Sequence, residues 1–294
     1  MDRCKLPQEL IDAIIDNIDD DESYPCRWTL QRCSLVCRSW LPRCQRRIFR
    51  RIVLLPPRRR YRPHPESNSQ RLRLILLKYP HISRYILELK VYEGQVEKDR
   101  DWIGTDKTLP LVLSSLKNLT RIEFRRLEWS ELPPNLRRSI CSVLELPSLV
   151  SLDMELCVFA SMDNFASLLS HAQGLTGLSL SYISTSRFME PLRGEDTSQV
   201  IGAEEQGEYS RRRTQRHLLD LHLGSYCFVE WLLGAQASSD VSHIRTLHIP
   251  KIWSRSDTDK VNRLLCAIGR SLRQLKLDMS LNLFGGSFQT SIQF

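Results

Sequence analysis

The sequence predicts an α+β chain with two parts: a short bundle of three helices, then an α/β solenoid with parallel strands on a concave face and helices outside. Three observations carry this. Apolar residues in the first fifty positions recur at the helical period. A proline- and arginine-rich stretch then interrupts the pattern. Beyond it, an apolar-x-x-apolar-x-apolar template recurs seven times. The expected organisation is a helical domain over residues 1–55, a linker over 56–70 and repeats over 71–294, with a polar insertion at 185–216.

In the first part Leu10, Ile11, Ile14, Ile15 and Ile18 form one helical stripe, and Pro7 sits where a first turn tolerates a missing amide. "DNIDDDESYP" then ends that helix. Leu30, Cys33, Val36, Cys37 and Trp40 are spaced as a second amphipathic helix, with a break expected at Pro42. Cys44, Ile48, Ile52 and Val53 mark a third. The linker, "PPRRRYRPHPESNSQ", combines four prolines with basic and polar residues.

Nine cysteines are present. Cys26, Cys33, Cys37 and Cys44 follow helical spacing and no C-x-x-C occurs, so the expectation is packing by reduced thiols, with no metal or cofactor. The first residues carry no apolar signal core and no run is long enough to span a membrane, so an intracellular chain, cytoplasmic or nuclear, is expected. The net charge of +8 is concentrated: nine arginines and no acid lie between Arg43 and Arg62, and 8 − 9 leaves −1 for the rest. Residues 1–24 hold eight acids against two bases. The arginine run is read first as a charged helix face pairing with acids on a partner or on residues 1–24. Phosphate contact and a nuclear import patch are the alternatives.

The template begins at Ile86, Leu119, Leu149, Leu175, Leu218, Ile244 and Leu272, at intervals of 33, 30, 26, 43, 26 and 28 residues, most of them near the upper range of leucine-rich repeats. Helical stretches lie between matches. The last of them, Val261, Leu264, Leu265 and Ile268, follows Ser256 and Asp257 as candidate caps. Alternation along a strand buries the template residues and turns their neighbours to an open face. The candidate substrate-contacting residues there are Arg121, Glu123, Arg125, Asp153, Glu155, His222, His248 and Lys276. The 43-residue interval holds the insertion, which has six acids and six bases.

"LPQELIDAII", "CSLVCRSW" and "CQRRIFRRIVL", in that order, resemble the F-box family. The matching positions are Leu6, Pro7, Glu9 and Leu10; Val36, Cys37, Arg38 and Trp40; and Ile48, Phe49 and Ile52, within about residues 5–54. The resemblance implies docking on a Skp-type adaptor of a cullin-based SCF ubiquitin ligase through Leu6, Pro7, Leu10, Ile11, Ile14, Val36, Cys37 and Trp40. The repeats then imply a substrate receptor that brings an unknown protein to the ligase.

No phosphate-binding glycine loop, metalloprotease motif or nucleophile elbow occurs. His222 and His248 occupy equivalent places with Asp220 nearby, but no nucleophile, base and orienting group combine. The chain is therefore read as non-enzymatic, with a protein partner expected rather than a membrane or nucleic acid. Two rivals remain open: a scaffold whose N-terminal helices merely cap the repeats, and nucleic-acid binding through Arg58, Arg59 and Arg60.

Overall fold

The computed structural model describes residues 7–18, 24–57, 67–94, 101–185, 216–234, 239–250, 252, 254–280 and 287–293. The chain divides into two compact units, Met1–Arg125 with Leu132–Leu149, and Arg126–Glu131 with Val150–Phe294. Both contain helices and parallel strands, so the chain is α+β.

The first unit runs α1 Gln8–Asp16, α2 Tyr24–Cys33, α3 Leu41–Arg50, β1 Arg51–Leu54, α4 Asn68–Lys78, β2 Glu88–Tyr92, α5 Trp102–Thr105, α6 Leu109–Ser115, β3 Arg121–Arg125 and α7 Pro134–Leu144. Prolines mark the first three helix starts. Pro7 is the N-cap of α1, while Pro25 and Pro42 are second residues of α2 and α3, where the first-turn amide has no intrahelical acceptor. Pro42 thus opens a helix rather than only breaking one.

Two expectations about this region need correction. The helix expected over Leu30–Trp40 stops at Cys33, and Val36, Cys37 and Trp40 lie in turns. The amides of Leu35 and Val36 switch to the three-back carbonyls of Arg32 and Cys33, and the Ser34 hydroxyl donates to the Gln31 carbonyl (2.7 Å). The apolar spacing persisted because Cys33 and Trp40 pack against the same small core, not because one helix joins them. Ile52 and Val53, expected on the third helix, instead form β1, which pairs in parallel with β2 through Ile52↔Leu89 and Leu54↔Val91. β-Branched side chains suit that edge. The expected boundary at 56–70 falls inside the first unit. Its last residues are helical, since Ser67 caps α4 in a capping box with Gln70.

The second unit runs β4 Ser151–Glu155, β5 Val158–Phe159, α8 Met162–Ser170, β6 Gly177–Ser181, β7 Ser184–Thr185, β8 Arg216–His217, β9 Asp220–Leu223, α9 Cys227–Leu233, β10 Ser239–Asp240, β11 Thr246–Ile249, α10 Arg255–Ile268, β12 Gln274–Ser280 and β13 Ser287–Gln293. Its strands β4, β6, β9, β11 and β12 are parallel neighbours in that order, and β13 closes the edge antiparallel to β12. α10 is capped by Ser254, with Asp257 completing a capping box, so the cap lies two residues before the expected Ser256. Both ends of the polar insertion are strand residues, Thr185 in β7 and Arg216 in β8; residues 186–215 lie outside the described residues.

All seven template matches lie on strands in zero-shift register, as in Leu152↔Leu178, Leu178↔Leu221 and Leu221↔Leu247. Their apolar residues are enclosed: Ile86, Leu119, Ile122, Leu152, Leu180, Leu218, Leu247 and Ile249 are all at most 1% exposed. Each such side chain contributes about 2 kcal/mol by leaving water. The carbonyl one residue into the template accepts two amides from the following repeat at Leu87, Val150, Thr176, Leu219 and Arg245. The seventh residue past the template start is left-handed three times, at Arg126, Leu156 and Tyr182 (φ 62°, 55° and 53°). The amides of Arg126 and Leu156 there donate to the last strand carbonyl of the next repeat, Glu155 and Ser181. The repeat is therefore one of backbone geometry as well as of hydrophobicity.

Candidate functional site

In the N-terminal region Ile11, Ile15, Leu30 and Cys44 form a small buried cluster, with Ile18, Cys33, Trp40 and Ile48 packed against it. α1 begins where the Pro7 carbonyl accepts the amides of Leu10 and Ile11, and the Gln8 side chain reaches the Ser39 carbonyl (3.4 Å), tying the helix start to the turn before α3. The residues expected to face an adaptor are thereby split. Ile11 is enclosed at 1%, and Cys37 and Trp40 are half-buried, whereas Leu10 and Ile14 are 53% and 45% exposed and Val36 is 62% exposed. Pro7 is exposed, and Leu6 lies outside the described residues. Leu10 and Ile14 stand one helical turn apart, on one face. The sequence reading missed Leu35, the most exposed large apolar residue described, at 80%. Its signal was its place in the apolar dipeptide before Cys37.

The thiol pattern is packing. Cys44 is fully enclosed, and burial, then the nearby Cys33, pushes its thiol up to about 11, away from reactivity. The described cysteines other than Cys227 and Cys26 are free thiols, and among the described residues no three His, Cys, Asp or Glu side chains could share a metal ion.

The arginine run pairs partly with the protein's own acids. Arg43 makes a forked contact with Asp16, its Nε at 2.8 Å from Oδ1, and lowers the Asp16 carboxyl below its ordinary value. Arg47 donates to the Ile18 carbonyl, and Arg51 holds Glu88 at 2.7 Å across β1 and β2. This supports the helix-face reading for Arg43 and Arg51. Arg58, Arg59 and Arg60 lie outside the described residues.

The strand neighbours form a polar row in each unit. In the first, Glu123 on β3 accepts from Tyr92 Oη (2.7 Å) and meets Lys90 Nζ (3.5 Å), while Arg125 lies 5.8 Å from the Tyr92 ring centre. Burial, then the Glu123 bond, pushes the Tyr92 hydroxyl up to about 12, so it stays a donor. Arg121, on the same strand, is exposed. Tyr92 was absent from the expected set, although it continues the Glu88, Lys90 alternation. In the second unit the row runs Asp153, Ser179, His222, His248 and Lys276 across paired strands. Ser179 Oγ bonds His222 Nδ1 (3.0 Å), and the two imidazoles stack with centres 4.1 Å apart and planes 11° apart. Glu155 is half-buried at the end of β4, in register with Ser181. These rows offer charged and neutral donors and acceptors, with no nucleophile and base set against each other; they suit recognition.

The first repeat was also missed. Phe49, Ile52 and Leu54 fit the same template, and the Leu87 amide donates to the Arg50 carbonyl at the equivalent position. Assigning these residues to a helix hid the match.

Comparison with protein-family models finds no match, and comparison with curated proteins finds none. Among the described residues, no helix is long and apolar enough to cross a membrane.

Proposed function

We propose that this chain is the substrate-recognition subunit of an SCF-type ubiquitin ligase: an F-box over the first helices docks on a Skp-type adaptor, and leucine-rich repeats stacked as a solenoid bind a protein substrate. The observation that carries the reading is the division of α1, with Ile11 and Ile15 enclosed and Leu10 and Ile14 in solvent, beside the exposed Leu35 and Val36. An enclosed half-face keeps the helices folded, while an apolar exposed half is what a partner would cover. The polar rows of the strands support the second surface, and the mechanism is proximity: binding raises substrate concentration beside the charged conjugating enzyme, with no catalytic residue from this chain.

The test is capture of purified adaptor by the full chain. Leu10→Asp with Val36→Asp alters only exposed positions, so it should abolish capture and leave the circular dichroism unchanged. Wild-type protein that captures no adaptor would rule out the receptor reading and leave a repeat scaffold capped by helices.

A further inference from the structure

The arginines of α3 do more than line a helix. Arg43, Arg46, Arg47 and Arg50 from α3 and Arg84 from the turn Pro80–Arg84 converge on one recess of about 610 Å³ within the first unit. That volume lies within the range of small-molecule sites. Asp16 is the only acid on its wall, and Arg50 also approaches Glu88 (3.8 Å). Counting both acids against the five guanidiniums leaves 5 − 2 = +3. Arg46 and Arg84 have no acidic partner among the described residues; Arg46 lies 5.7 Å from the Tyr85 ring centre, which holds the guanidinium at the mouth. Such a concentration of like charge is unfavourable unless an anion offsets it.

We infer that this recess binds a small soluble anion bearing two phosphoryl groups. Guanidinium is planar and presents paired donors that match phosphate oxygens, which a compact ammonium does not. One phosphate carries about −1.5 to −2 at neutral pH, so a single group leaves part of the +3 surplus unmet and two groups match it. The Tyr85 ring and Leu87 on the wall leave an apolar flank for the body of an organic diphosphate. The inference is independent of the ligase reading, since neither Leu10 nor Val36 lines the recess.

The test is calorimetric titration of the full chain with pyrophosphate at near-physiological salt, with orthophosphate and a doubly phosphorylated peptide in parallel. One-site saturable binding of pyrophosphate is expected, at least about tenfold tighter than orthophosphate. Arg46→Gln with Arg84→Gln, both exposed positions, should weaken it by about tenfold or more, whereas Arg58→Gln with Arg59→Gln and Arg60→Gln should change it by less than about twofold. Arg84→Gln alone carries the comparison should the double variant not fold. Equal loss in both variant sets would reduce the effect to general basic charge and overturn the assignment. So would binding of the peptide without pyrophosphate, or no binding at all.

Discussion

The helical segment α1–α3 and the strand repeats bury their apolar residues to different degrees. The helices gather four fully buried residues and leave Leu10, Ile14, Trp28, Leu35 and Val36 in solvent. The repeats enclose nearly every template residue, and the second unit adds an aromatic cluster in which Phe165 meets Phe159, Phe228 and Trp231 at 5.2, 5.5 and 5.2 Å between ring centres. The cause is geometric. A parallel strand is flanked by its neighbours and covered by a helix, whereas three short helices have too little mutual surface to cover one another. A repeat is finished by the next repeat; a short helical bundle is finished by whatever docks on it.

The sharpest way to break this comparison is at Phe165. Phe165→Ala should lower stability by about 3–5 kcal/mol in urea unfolding, since the cavity is walled by three aromatic rings. A loss below about 1 kcal/mol means the second unit is not packed as described. Ile15→Ala removes about 2–4 kcal/mol from a much smaller core. Its effect should be local: amide exchange in α1–α3 should accelerate about a hundredfold while β4 to β12 stay protected. Uniform acceleration shows that the helices and repeats unfold as one.

Asp106 comes next. Its carboxylate accepts from the Ser69 hydroxyl, from Thr108 Oγ1 (2.6 Å) and from the Thr108 amide (2.7 Å), fastening α4 to the start of α6. Burial alone raises its pKa, but the bonds from Ser69, Thr108 and Ser67 outweigh that and hold it below the ordinary carboxylate value. A depressed folded value gives stability that is present above the unfolded pKa of about 3.9 and lost as pH falls through the folded one. Asp106→Asn should cost about 1–3 kcal/mol at neutral pH and flatten the acid limb of the stability profile. Glu93 has the opposite sign: burial raises its carboxyl, so its ionisation weakens folding as pH rises, partly offset by the Trp102 and Ile103 amides.

The smallest effect is the most telling for function. Leu35→Ser at an exposed turn should leave stability within about 0.5 kcal/mol, yet weaken adaptor capture if the exposed apolar half-face is a docking surface. Unchanged capture would remove Leu35 from that surface.

Much of the fold was legible. The template found seven strands, because an apolar-x-x-apolar-x-apolar spacing can bury all three residues only on an extended segment with neighbours in register. It missed the strand at Arg51–Leu54 because Cys44 and Ile48 continue a helical period up to that point, and local spacing does not say where a helix ends. The second helix was drawn too long for the converse reason: Cys33 and Trp40 share a core although turns separate them. Of the candidate sites, the polar alternation on the strands was readable, but the stacking of His222 on His248 and the clasp of Tyr92 on Glu123 needed neighbouring strands to be placed.

By itself, the order of residues determined where apolar side chains recur, which stretches are helical or extended, and that positive charge is crowded into one short run. Only the tertiary structure decided which half of α1 is covered, and that arginines of α3 meet Arg84 across a recess. Periodicity is a property of nearest neighbours along the chain. Coverage and charge convergence depend on segments forty residues apart arriving at the same place.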